Sequence, residues 1–135
     1  MRFDTKKSAF SDNIKAAEAC QLTMWGSSWH ADYPDGENFM QLFYGPNTHQ
    51  SNHACYRSAA FDKLYEQMSK MPNSPERNRL FEMMARQMEV DSVMHLGSAR
   101  YRNVLVYPHV KGFRWHPIVT GIYELLDIDN SARRQ

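Results

Sequence analysis

The residue types best equipped for chemistry gather between Trp25 and Asp35, in the run Trp25-Gly26-Ser27-Ser28-Trp29-His30-Ala31-Asp32-Tyr33-Pro34-Asp35. Asp32 places a carboxylate beside two indoles and a phenol. On the residues alone it suits a turn aspartate bonding its own backbone near Pro34. Ser27, Ser28, His30 and Asp32 hold the residue types of a hydrolase, but triad members normally converge from separate elements, and neighbours this close rarely reach that geometry. There is no Gly-x-Ser-x-Gly and no Gly-rich phosphate loop. His49 and His53 stand four apart, which on a helix would place two metal ligands on one face. They fall instead in a polar, loop-like stretch without a nearby carboxylate pair, so solvated histidines are expected there. The expectation is a protein with no catalytic site, no metal and no cofactor.

Composition reads as one small, nearly neutral domain and does not by itself name a function. The 135 residues carry 16 Lys+Arg against 15 Asp+Glu, a net charge of +1, which lacks the basic excess of a nucleic-acid binder. The longest clean apolar stretches, such as Val104-Leu105-Val106, hold three residues, far short of the roughly 18 that span a membrane. Met1-Arg2-Phe3-Asp4 leads into a polar segment rather than the apolar centre of a secretion signal. Cys20 and Cys55 are too few for a zinc site, and their spacing leaves open whether they pair.

The elements that must position these residues read as an α/β pattern. Residues 11–19 are rich in Ala, Glu and Lys and predict a helix with Ile14 and Ala17 on one face. Leu22, Met24 and Trp25 read as a strand, so that Met24 and Trp25 point to opposite sides. Pro34-Asp35-Gly36 is turn chemistry, and residues 37–43 predict a short helix burying Phe39, Met40 and Phe43. Two clearer helices follow. Ser58 caps the first, with Phe61, Leu64, Tyr65 and Met68 in one stripe; Ser74 and Pro75 open the second, with Leu80, Phe81, Met84 and Met88. They predict a helix pair over a sheet. Strands are expected at 94–96, 101–107 and 110–115, then a strand or short helix at 123–128, with a frayed tail from 130 to 135.

Three ordered segments resemble the extracellular solute-binding family 5, the periplasmic binding proteins that feed peptide and nickel ABC importers. Met24 to Asp35 is similar to that family's strand followed by a Trp-x-x-Asp-Tyr turn. Asn52 to Leu64, continued by Glu76-Arg77-Asn78-Arg79-Leu80-Phe81, resembles its Asn…Tyr, Phe-Asp and Glu-Arg…Leu-aromatic helices. Tyr107-Pro108-His109-Val110-Lys111-Gly112-Phe113 resembles its Pro-x-Val-x-Gly-aromatic turn near the C-terminus.

The resemblance implies a two-lobed, type II-like α/β binding protein of which this chain is the C-terminal portion. Residues 1–100 would be the second half of the C-terminal lobe, 101–109 a hinge crossing, and 110–129 strands returning to an N-terminal lobe. The signal peptide would then belong to the preceding part, and the compartment would be the periplasm, where a Cys20–Cys55 pair is permitted. Asp32 would receive a ligand's α-amino group, Trp29 would line the cleft beside it, and Tyr33 and Trp25 would contribute to its wall. Asn52 and Tyr56 are weaker candidates. Gly26 and His30 depart from the basic or cysteine residue that peptide-binding relatives carry around the tryptophan. The implied partners are a peptide or other small amine-bearing solute and the membrane permease of the importer. The alternative is a self-sufficient interaction domain that oligomerises, and an exposed 110–129 tail with Phe113, Trp115 and Ile118 would make the fragment self-associate.

Overall fold

Serine caps set the strongest elements. Ser58 and Ser74 are extended, and each side-chain oxygen accepts the backbone N–H three residues on, from Phe61 and Arg77. Pro75, at the first helical position of the second, has no N–H to leave unsatisfied. The computed structural model describes residues 4–97, 101, 103–116, 118 and 123–131. They form two units, Met1–His95 and Leu96–Gln135.

The first unit contains α1 (Phe10–Glu18), α2 (Glu37–Met40), α3 (Ala59–Met68) and α4 (Pro75–Val90), with 3-10 turns at Gln41–Phe43 and Gly45–Asn47. Helices α3 and α4 pack as a hairpin whose predicted stripes meet. Phe61, Met68, Leu80, Met84 and Met88 form the buried cluster, and Leu64, Tyr65, Phe81, Met40 and Phe43 pack around it. Burying side chains of this size contributes about 1.5–3 kcal/mol each. Phe39, expected inside, is 43% exposed, because the α2 backbone turns Met40 and not Phe39 toward the hairpin.

Among the described residues the first unit holds no β-ladder, only an isolated Thr48–Asn52 bridge. Residues 22–25, 94–96 and 103–107 have the β-compatible composition predicted for strands but are not paired. A strand exists only through its neighbour's hydrogen bonds, and composition does not supply the neighbour.

Helices α1 and α4 end in the same motif without glycine. At α1, Cys20 N–H bonds Ala17 O and Gln21 N–H bonds Ala16 O, with Cys20 at φ 57°. At α4, Ser92 and Val93 make the matching pair to Glu89 O and Met88 O, with Ser92 at φ 52°. This is the Schellman arrangement, in which a left-handed residue satisfies the last carbonyls.

The second unit is built on a short antiparallel pair, β1 (Val110–Lys111) and β2 (Asp127–Ile128), in the register Val110↔Ile128 and Lys111↔Asp127. Gly112 follows at φ +78°, and an added Cβ would collide with the Leu125 carbonyl, so the position requires glycine. The predicted strand or helix at 123–128 is both in turn, a 3-10 turn at Tyr123–Leu125 and then β2. None of the described residues of this unit is buried; Tyr101 and Leu105 stand almost fully in solvent, and Tyr107 is exposed. Trp115 is exposed, while Phe113 and Ile118 are half-buried. Position 100 of the expected boundaries and the tail at 132–135 lie outside the described residues.

Candidate ligand-binding site

The aromatic turn is organised by a residue that the sequence does not flag. Asn38, in the first turn of α2, is 1% exposed. Its Oδ1 accepts the indole N–H of Trp29 at 2.8 Å and the backbone N–H of Asp32 at 3.1 Å. Its Nδ2 donates to Asp32 Oδ2 at 3.2 Å. One buried amide therefore orients both the indole and the carboxylate by satisfying its donors and acceptor on them. Asp32 itself is exposed, Trp29 is 40% exposed, and Asp32 Oδ1 has no hydrogen-bond partner among the described residues. The result is a fixed carboxylate edge open to solvent beside an aromatic face.

The backbone-bonding role that was open for Asp32 belongs to Asp35. Asp35 Oδ1 accepts the Glu37 N–H at 2.9 Å, which orders the entry to α2. The same carboxylate takes two bonds from Arg77, at 2.9 Å from Nη1 and 3.0 Å from Nη2. Arg77 further donates from Nε to Met68 O at 3.2 Å and from Nη1 to Asn73 Oδ1 at 2.7 Å, and lies 5.0 Å from the centre of the Phe81 ring. Its guanidinium holds the Asp35 carboxyl below the usual carboxylate range, although partial burial opposes the shift. This bracket fastens the aromatic turn to the start of α4. Beside it lies a depression of about 500 Å³ bordered by Pro34, Gly36, Ser74 and Asn78.

Tyr33 does not reach the Asp32 carboxylate; its hydroxyl bonds Glu37, as does the hydroxyl of Tyr65 from α3. That bond to Glu37 raises the Tyr33 pKa above the ordinary phenol value. Burial, then the same carboxylate, raises that of Tyr65 further. Tyr65 also stacks on Tyr44, with ring centres 4.4 Å apart. Trp25 is half-buried and packs on His53, ring centres 5.9 Å apart, rather than joining Trp29. The structure thus brings Trp29 and Asp32 together and gives Tyr33 and Trp25 separate contacts.

The weaker candidates are structural. Asn52 is fully buried; its Nδ2 donates to Tyr44 O and Tyr56 O at 3.1 and 2.9 Å, and its Oδ1 accepts from Tyr56 N. Tyr56 bonds Asp91 through its hydroxyl and meets Phe61 edge-on at 5.6 Å. His49 and His53 turn toward α1: His49 Nδ1 lies 2.6 Å from Glu18 O, and His53 Nε2 lies 3.9 Å from Glu18 Oε1. No group of three or more metal-ligating side chains occurs among the described residues.

Cys20 and Cys55 form a disulfide, with Cα atoms 5.8 Å apart and a sequence separation of 35. Closing a loop of that length stabilises the folded chain by about 4 kcal/mol on the chain-entropy estimate. No helix among the described residues is long and apolar enough to cross a membrane. The chain matches no family model, and no curated protein or solved structure is significantly similar to it.

Proposed function

We propose that this chain is part of the substrate-binding component of an ABC importer, a two-lobed periplasmic receptor for peptides or other small amine-bearing solutes. Asp32 is the anchor for the ligand's ammonium group, and Trp29 supplies the aromatic wall beside it. The carrying observation is the Asn38 amide, which fixes both side chains on one exposed rim and leaves Asp32 Oδ1 open. A carboxylate held before the ligand arrives loses little conformational freedom on binding, which favours affinity. A facing lobe that closes over the rim excludes water and strengthens the charge-assisted bond. The disulfide is in keeping with an oxidising compartment. The unit Leu96–Gln135, with apolar side chains exposed and none of its described residues buried, suits a segment that completes another lobe.

The test is isothermal titration of the receptor that contains this sequence, using short peptides with free and with acetylated N-termini. Asp32→Asn should weaken the free-amine peptide by about 2–5 kcal/mol and leave the already weak acetylated one unchanged. Equal affinity of Asp32→Asn and wild type rejects the anchor. The same exposed segment supports the alternative of an interaction domain that self-associates. Light scattering on the 135-residue chain in the same experiment separates the two, because a stable oligomer that binds no peptide in any form favours the alternative.

A further inference from the structure

From the surroundings of the disulfide we infer that Cys20–Cys55 is a redox-opened clasp, which a dithiol reductant cleaves to release α1 and Trp25 while the α3–α4 hairpin stays folded. Apart from the Ser8–Asn13 bond at its start, the covalent and polar attachments of α1 among the described residues sit at its C-terminal end. They are the disulfide itself, Glu18 O against His49 and Glu18 Oε1 against His53. Ala17 is the one residue of α1 that is buried, and Phe10 at the other end is 72% exposed. The helix has no side-chain cap at its start. Nine residues are too few for a helix to persist alone in water. The hairpin, in contrast, carries two serine caps and the whole apolar cluster. Opening one bond therefore removes the covalent tie of the first element, leaving it two contacts at Glu18 and the packing of Ala17, and removes none of what holds the second.

The neighbourhood of the sulfurs favours exchange. Cys20 is exposed and Cys55 half-buried, so a small dithiol reaches the bond. His49 Nδ1 faces a carbonyl, which only accepts, so Nδ1 carries the hydrogen. That same nitrogen lies 3.9 Å from Cys20 Sγ. Its single hydrogen is engaged by Glu18 O, so it stabilises a Cys20 thiolate by turning from that carbonyl to the departing sulfur as the bond opens, which makes Cys20 the better leaving group. In the exchange a reductant thiolate attacks Cys55 Sγ, the Cys20–Cys55 bond breaks, and Cys20 departs as thiolate and takes a proton from solvent. The reductant's second thiol then attacks the mixed disulfide and frees Cys55. The dithiol leaves as its own disulfide, having delivered two electrons and two protons.

Release reaches further along the chain through Trp25. The Trp25 ring rests on His53, which also faces Glu18 of α1. Loss of α1 takes away one side of that packing, so the segment from Trp25 toward Trp29 loosens. The inference does not depend on what Asp32 binds.

The experiment is amide hydrogen exchange on the 135-residue chain, oxidised and after dithiothreitol, with alkylation and mass spectrometry to count free thiols. Expected are two new thiols, at least tenfold faster exchange across 13–21, and unchanged protection across 75–90. Tryptophan fluorescence, followed alongside, should change on reduction, and Trp25→Phe should abolish most of that change. A Cys20→Ser/Cys55→Ser variant should reproduce the reduced pattern without reductant, and His49→Gln should slow reduction severalfold. Simultaneous loss of protection in 13–21 and 75–90 would overturn the inference, because the disulfide then holds the whole unit. Unchanged exchange in 13–21 after full reduction overturns it equally, since α1 then stands without the bond, and reduction as fast in His49→Gln as in wild type removes His49 from the step.

Discussion

Asp35 is the residue whose replacement tests the scaffold most directly. Its partner Arg77 is 7% exposed in its side chain and Asp35 is 29% exposed, so the pair is sheltered rather than buried on both sides. Asp35→Ala removes two charge-assisted bonds of 2.9 and 3.0 Å and the acceptor for Glu37 N–H. A fully buried pair broken on one side costs about 3–5 kcal/mol. Here Arg77 keeps Met68 O, Asn73 Oδ1 and the Phe81 ring, and water can enter from the neighbouring depression. The loss should therefore be about 2–3 kcal/mol, and about 1 kcal/mol less for Asp35→Asn, which retains a side-chain oxygen for Glu37 N–H. Urea unfolding followed by circular dichroism measures it, and a cycle with Arg77→Met should return a coupling of at least about 1.5 kcal/mol.

The pH dependence has a definite sign. Arg77 depresses the folded-state pKa of Asp35 below the ordinary value of 3.8. The stabilisation is thus complete above that value and is lost as pH falls through the lower folded one. Wild type and Asp35→Asn should converge below pH 3.8, with the gap constant from there to neutrality. A cost for Asp35→Ala under about 0.5 kcal/mol, the range of an exposed pair, would refute the reasoning. So would a gap that is flat through the acid range.

Two further outcomes follow from buried polar groups. Asn52→Ala leaves the Tyr44 and Tyr56 carbonyls and the Tyr56 N–H without their partner, and should lower stability by about 2–4 kcal/mol in the same urea assay; a neutral result would show that water replaces the amide. Tyr65→Phe should remove from the ultraviolet phenol titration a group that ionises above the ordinary value of 10, since burial and Glu37 disfavour its charged form. The raised folded value means that this stabilisation is full below pH 10 and fades above it, so the variant should lose its disadvantage only in alkali.

The parts legible in the sequence were those fixed by near neighbours. Ser58 and Ser74 announce α3 and α4, and the spacing of Phe61, Met68, Leu80, Met84 and Met88 gives the face they bury. The Pro34-Asp35-Gly36 turn follows from backbone chemistry of the same local kind. What escaped depends on residues far apart. The Asp35–Arg77 bracket spans 42 positions, and no local pattern distinguishes Arg77 from other basic helix residues. Asn38 and Asn52 look like ordinary polar positions until burial is known. Strand composition at 22–25 and 103–107 misled because pairing, not propensity, makes a strand. In the candidate site, Trp29 and Asp32 were marked by their turn, but the buried amide joining them was not.

The interior described above holds six buried apolar residues and three buried polar ones, and no buried side-chain nitrogen or oxygen lacks a hydrogen bond among the described residues. Such an interior withdraws little hydrocarbon from water, so its unfolding carries a small heat-capacity increment for the chain length. The free-energy curve against temperature is then broad and shallow. Cooling weakens this scaffold less than it weakens one built on a larger oily core, and its working range is set by the fidelity of a few amide and guanidinium contacts.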